Sequence, residues 1–395
     1  MIQAFQGVRV IDATHVLAGP FASYQLAVLG ADVIKVESPH SPDQARMQGS
    51  DRKLNDAQMG TAYMAQASNK RALALDFKTE GGREAFRRLA KTADVLVQNY
   101  RPGALDALGL GYDALSVLNP RLIYCGISAF GANGPKREET GYDNVLQAYS
   151  GIMAMTGHGD GRPLKSGAQV VDYATGLAAA FAISAALYQR EKTGRGQFID
   201  LAMLDVSLML LTSHVAGYSW NGAHPEAKGN RFPFATIGCY AAADTDLMIS
   251  ASNLAQQRRL WTALGREDLI KSGNNQRLDD HARESAALAE IIATRPAAEW
   301  EAFFRRHRIP AARVRRMEEA LADPQIAARD VIQRPAAAGA FEALGVAVAP
   351  FSMSDSPARV TAPPPAVGEH NELLLAELGY DAAEVARLRA EGAIG

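Results

Sequence analysis

Over its first two hundred residues the chain alternates short apolar runs with stretches whose apolar positions recur at helical spacing. Residues 8–13 (VRVIDA) suit a buried parallel strand. A loop over 14–19 follows, with Pro20 where a helix begins, a place that tolerates proline because its amide has no helical partner. The helix covers 21–29 and stops at Gly30, and 32–37 (DVIKVE) gives the next strand. The unit repeats as a strand over 73–77, a helix over 80–92 and a strand over 94–98, with further strands at 122–127 and 197–202. This alternation predicts an α/β fold, a mostly parallel sheet covered on both faces. Ligands of such sheets sit beyond the carboxyl ends of the strands. Residues 15–19 and 99–103 are therefore the first candidates for a site.

Beyond residue 205 the pattern loosens. Residues 216–231, rich in Gly, Asn, His and Pro, read as a loop or linker, and 235–314 as a second α/β segment with a strand at 247–252. A proline-rich loop over 362–366 precedes a terminal helix pair from Asn371.

Composition narrows the function classes. Of 395 residues, 48% are hydrophobic and 21% charged, enough apolar material for an ordinary globular core. A net charge of −2 supplies no field to recruit nucleic acid or an anionic membrane. Only Cys125 and Cys239 occur, outside any CxxC spacing, which fits a reduced, cytoplasmic setting without a disulfide framework. The N-terminus lacks the pattern of a secretory signal, and the longest apolar stretch, 177–188, falls short of the about 20 residues a bilayer span needs. A protein in solution is expected.

Several motifs fail on context. Residues 109–114 fit G-x-G-x-x-A, but a helical pattern at 104–108 stands where a strand is required. Residues 126–130 approach a nucleophile elbow without its closing glycine. The eight histidines show no metal-ligand spacing, so no metal site is expected. Asp172 stands out, between Gln169-Val170-Val171 and a long Ala-rich helix beginning near Thr175-Gly176. An aspartate there is either a helix N-cap, worth about 1 kcal/mol, or a carboxylate kept ionised by the helix end, beside free amides able to hold an oxyanion. The second arrangement attacks a thioester carbonyl. Both readings stay open on these residues alone. Arg101 within Asn99-Tyr100-Arg101-Pro102-Gly103 and the cluster Asn69-Lys70-Arg71 are the anion-binding candidates, with His15 beside them.

Taken together, Gly7-Val8-Arg9-Val10-Ile11-Asp12, Ala18-Gly19-Pro20 and 29–37 (LGADVIKVE) resemble the opening of the class III CoA-transferases. The family includes formyl-CoA and carnitine CoA-transferases, with α-methylacyl-CoA racemases as relatives. The likeness continues through Asn69-Lys70-Arg71, the NYRPG segment, 119–124 (NPRLIY), 131–135 (GANGP) and Asp172 with Thr175-Gly176. It ends with 193–197 (TGRGQ), Gly368-Glu369-His370 and 377–380 (ELGY), and so spans almost the whole chain. It implies a Rossmann-like large domain over 1–204, a linker over 205–234, a small α/β domain over 235–325, and a return linker with the C-terminal part of the large domain over 326–395. It also implies an interlocked homodimer, coenzyme A and acyl-CoA as substrates with no resident cofactor, and Asp172 as the nucleophile. By position it places His15, Val16, Ala18, Asn69, Lys70, Asn99, Tyr100 and Arg101 along the coenzyme.

Two departures from the family pattern stand out. The glycine run of some members is reduced to Gly229, and Ser38 stands where formyl-CoA enzymes carry a basic residue. The racemase relatives resemble one another in a Gly-His-Asp segment, matched here by Gly141-Tyr142-Asp143. Tyrosine is a poor base near neutral pH, which favours transfer, with Tyr142 bonding a substrate carboxylate. Arg46, Gln48, Tyr63 and Arg231 are expected to face the acceptor, an arginine suiting a second carboxylate and hence a small dicarboxylate. The alternatives are a racemase and a non-catalytic acyl-CoA-binding protein.

Overall fold

The computed structural model describes residues 2–335 and 341–395. The chain divides into two compact units. The first takes in the chain to Ile152, Ser166–Ala223 and Gln325–Gly395; the second takes Met153–Lys165 and His224–Pro324.

Among the described residues of the first unit, six strands form a parallel sheet: β1 (Arg9–Ala13), β2 (Asp32–Glu37), β3 (Lys70–Ala74), β4 (Val95–Gln98), β5 (Ile123–Ser128) and β6 (Phe198–Ala202). Their spatial order is β3-β2-β1-β4-β5-β6. The expected Rossmann-like order is present, and the direction of winding reverses between β1 and β4. Period-two alternation sends neighbouring strand residues to opposite faces. Val10, Val33, Val97 and Ile123 join one core with Leu26, Ala179 and Ile183. Ile11, Ile34 and Leu96 join the other with Phe86, Leu89, Leu375 and Leu388. The first face is covered by α1 (Ala18–Ala27) and the second by α2 (Glu80–Thr92).

β3 starts at Lys70, three residues before the expected strand, in register with Val33. Its first two residues are basic and hid it from an apolar pattern. The segment expected to begin a linker at 205 is instead helical, Met203–Leu210 and then Thr212–Asn221, and ends at Gly222 in a left-handed conformation. Residues 153–165, expected in the large domain, group with the second unit.

Three more helices position the site. These are α3 (Asp143–Ser150), α4 (Val170–Thr193) and α5 (Met203–Leu210). By length and composition alone α4 is long and apolar enough to cross a membrane. Its Val171, Gly176, Ala179 and Ile183 are buried. Gly176 lets α4 approach α1 closely: a Cβ there would lie 2.8 Å from the Ala18 carbonyl oxygen and 2.8 Å from the Phe21 ring. The chain end returns as α6 (Asn371–Glu377) and α7 (Ala382–Ala390) on the α2 face of the sheet. Glu377 pairs there with Arg9 at 3.0 Å and Arg71 at 2.6 Å.

In the second unit, three antiparallel strands, Ile237–Ala241, Asp246–Ser250 and Ala311–Arg313, pack with helices over a core containing Trp261, Trp300 and Phe304.

Candidate active site

The reversal of strand order opens a crevice at the carboxyl ends of β1 and β4, where open α/β sheets hold their ligands. A cavity of about 770 Å³ occupies it. Its walls include His15, Val16 and Ala18 after β1, Asn99, Tyr100 and Arg101 after β4, Tyr142 before α3, and Asp172. Eight of the residues expected from sequence therefore meet in one place.

The two loops are tied across the crevice. The His15 amide donates to Asn99 Oδ1 at 2.9 Å, and Asn99 Nδ2 donates to the His15 carbonyl at 2.8 Å. His15 Nε2 lies 3.3 Å from the Tyr100 hydroxyl, their rings edge to face. Burial and the nearby Lys35 charge hold the His15 imidazole below its usual range, so it is neutral at neutral pH.

Val16 has φ +71°, which is rare for a β-branched side chain. Its surroundings fix it there. The Val16 amide donates to Asp43 Oδ1 at 2.9 Å, and Gln66 Nε2 donates to the Val16 carbonyl at 2.6 Å. Lys35 Nζ bonds Asp43 at 3.0 Å and the Thr14 carbonyl. Backbone strain of this kind, about 1–3 kcal/mol, survives only where neighbours over-determine it. The Leu17, Ala18 and Gly19 amides that follow, at the start of α1, donate no hydrogen bond among the described residues, since the first amides of a helix have no partner within it. Leu17 and Ala18 line the cavity.

Asp172 is not the N-cap of its helix. Gln169 holds that place, and Asp172 is the third helical residue, 8% exposed. Burial first, and then the charge of Asp143, push its carboxyl up from the ordinary 3.8 to about 7. That rise amounts to about 4 kcal/mol, against about 1 kcal/mol for a helix dipole favouring the charged form. Burial and the like charge win. The expectation of a carboxylate kept ionised by its helix is thus corrected. So is that of free amides at the same helix end, because Asp143 Oδ2 accepts from the Val171 amide at 2.8 Å and the Asp172 amide at 3.1 Å. The Asp172 carboxyl itself accepts no hydrogen bond from the described residues, an unusual state for a buried acid.

Other expected residues lie elsewhere. Lys70 is buried under α1, its ammonium bonded to Asp12 at 2.8 Å, the Pro20 carbonyl at 2.8 Å and Ser23 at 2.9 Å. With every donor engaged, it has none left for a phosphate. Asn69 fastens the returning chain, accepting from the Thr361 amide at 2.7 Å and donating to the Arg359 carbonyl at 2.7 Å. Arg46 is fully buried against Glu37 at 2.6 Å and the Tyr63 hydroxyl at 2.7 Å, and Tyr63 donates to the Pro365 carbonyl. Gln48 is exposed away from the cavity lining, and Arg231 belongs to the second unit. Arg46 and Tyr63 are therefore corrected from acceptor contacts to parts of an internal ion network.

Sequence reasoning missed Lys78 and His40, both exposed on the cavity wall. Lys78 and Arg101 have no ion pair among the described residues. Lys78 directly follows the strand expected at 73–77, so the criterion that found Arg101 reaches it too; only the loops at 15–19 and 99–103 were singled out.

Residues 5–371 match the family model described as CoA-transferase family III. The chain is 36% identical to a succinate–glutarate CoA-transferase of Agrobacterium fabrum, over 94% of this chain and 95% of that protein. It is 34% identical to a formyl-CoA:oxalate CoA-transferase of Streptomyces avermitilis over the full length of both. Among solved structures, a CaiB/BaiF family protein from Brucella suis superposes with a TM-score of 0.84 at 33% identity, over 96% of this chain and 100% of that one.

Proposed function

The chain belongs to CoA-transferase family III and is a CoA-transferase; from that premise we propose that Asp172 carries the coenzyme between acids as an aspartyl thioester. The observation behind this is a buried carboxyl without a hydrogen-bond partner, facing the crevice where the sheet order reverses.

In its ionised form Asp172 attacks the thioester carbonyl of the donor. The acyl–sulfur bond breaks, leaving a mixed anhydride on Asp172 and coenzyme A as thiolate. The thiolate attacks the aspartyl carbonyl, which forms the aspartyl thioester and expels the donor acid as carboxylate. An acceptor carboxylate then attacks that thioester, giving a second anhydride and the thiolate again. The thiolate takes the new acyl group and Asp172 is regenerated. No proton is gained or lost over the cycle. Each addition places negative charge on a carbonyl oxygen, and the unused amides of Leu17 and Ala18 border the same cavity. Arg101 and Lys78 supply unpaired cations for the coenzyme's phosphates.

The acids are read as small dicarboxylates, since one relative named above exchanges, by its name, two diacids, and the other pairs formyl-CoA with the diacid oxalate. A second copy of the chain completes the enzyme in this reading, as an interlocked homodimer. Support comes from apolar side chains left exposed, with Phe181 at 77%, Met209 at 72% and Trp220 at 89%. Tyr142, in place of a histidine base, weighs against the racemase alternative.

Intact-protein mass spectrometry after mixing with acyl-CoA donors tests the reading. The expected result is a mass gain of one coenzyme A less one water in the wild type and none in Asp172→Ala. The same gain in the variant, or α-proton exchange without any adduct, overturns it.

A further inference from the structure

Asp143 is an acid to which the transfer chemistry assigns no task. It opens α3, is 4% exposed, and has both oxygens engaged: Oδ2 by the Val171 and Asp172 amides, Oδ1 by Gln147 Nε2. A neutral oxygen caps such amides about as well as a charged one. A second buried negative charge beside an unpartnered carboxyl is unfavourable on its own account. The chain nevertheless carries an acid, in place of an amide or a hydroxyl, as the cap at the nucleophile's own amide.

We propose that Asp143 is a positioning residue for the transfer: it fixes the backbone of Asp172 at the start of α4, and its charge, alongside burial, acts on the Asp172 carboxyl. The inference rests on Asp172 being the nucleophile.

Two arguments carry it. One is geometric, because the cap reaches the Asp172 amide itself at 3.1 Å. The other is electrostatic. The ionisable groups on elements packed around α4 are Tyr24 on α1, Tyr124 and Cys125 on β5, Asp200 on β6, Asp143 and Tyr149 on α3 and Asp205 on α5, with Tyr173, Tyr188, Arg190, Glu191 and Lys192 on α4 itself; the cavity wall adds His15, His40, Asp76, Lys78, Tyr100, Arg101, Glu139 and Tyr142. Of all these, Asp143 is the charge that raises the Asp172 carboxyl.

The chemical consequence lies in the first anhydride. Coenzyme A thiolate attacking the acyl carbonyl expels Asp172 and restores the donor. Attack on the aspartyl carbonyl breaks the other bond to the bridging oxygen, expels the acyl carboxylate and forms the aspartyl thioester. The weaker base leaves more readily. A more basic Asp172 therefore directs the anhydride forward, and removing the Asp143 charge favours return.

The test is single-turnover formation of the aspartyl–CoA adduct, followed by mass from pH 5 to 9. Wild type is compared with Asp143→Asn and Asp143→Ser, which are neutral acceptors, and Asp143→Glu, which keeps the charge. Melting curves identify the folded variants, and either neutral one suffices. The expected result is an acid limb near pH 7 in wild type and in Asp143→Glu. In the neutral variants it moves down by about one pH unit or more, with slower adduct formation at pH 8. An unmoved limb in a folded neutral variant overturns the role of Asp143 and leaves Asp172 as nucleophile. Absence of any wild-type adduct sensitive to Asp172→Ala overturns the nucleophile and this inference with it.

Discussion

Oδ2 of Asp143 accepts the backbone amide of Asp172 at 3.1 Å, so the candidate nucleophile is held through its main chain while its own carboxyl is left unbonded. The residue that fixes the position of Asp172 also raises its basicity. Fixing a reactive group through its backbone leaves the side chain open to substrate. It also leaves an acid buried in a state that costs stability once ionised.

That cost has a sign that can be measured. The Asp172 carboxyl is raised from 3.8 to about 7 in the fold. Between those values the native state binds a proton that the unfolded chain does not, so stability falls as pH rises through about 4 to 7. Asp172→Asn, neutral throughout, should melt above wild type at pH 8 by about 2–4 °C or more, and the difference should close toward pH 4. A variant that melts lower than wild type at pH 8 contradicts the unpaired, buried state of the acid. Its turnover should fall about a thousandfold or more.

Arg101 and Lys78 should act on coenzyme affinity and leave the chemical step alone. Each exchanged for alanine should raise the acyl-CoA KM about tenfold, the loss of one charge-assisted contact. Added salt should raise the wild-type KM more than that of either variant. A change confined to kcat would place these cations nearer the reacting carbonyl.

Lys70 should behave differently from both. Its ammonium is buried against Asp12, and Lys70→Met leaves that carboxylate unpaired, for a loss of about 3–5 kcal/mol. The folded remainder should keep the wild-type KM for acyl-CoA. A raised KM at unchanged stability would return Lys70 to the phosphate path.

Gly176 gives a check on the packing that brings the Ala18 end of α1 beside α4. Gly176→Ala puts a methyl group 2.8 Å from the Ala18 carbonyl and the Phe21 ring, overpacking worth about 1–3 kcal/mol. Displacement of the unused amides from Asp172 should lower kcat at least tenfold. Full activity in that variant would remove those amides from the mechanism.

Apolar periodicity located β1, β2 and β4 to within about a residue and placed α2 correctly, because strands buried on both faces are continuous apolar runs and α2 has one apolar stripe. The rule that sites follow strand ends found His15, Asn99 and Arg101 for the same reason. The family motifs singled out Asp172. Arg46, Tyr63 and Lys70 read as surface contacts because charge in a sequence carries no record of burial. Each is enclosed by partners far along the chain, such as Pro365, or by carboxylates on strands the pattern had already assigned to the core.

The sequence by itself determined the class of fold, the family, and the crevice that holds the candidate site, since these depend on local period and on short ordered motifs. The tertiary structure alone decided that Asp172 is the third residue of its helix, that its helix-end amides belong to Asp143, and that its acid is buried and basic. Asp143 and Asp172 stand 29 positions apart in the chain. Desolvation and the force between two like charges depend on distance in space, which the order of residues does not contain.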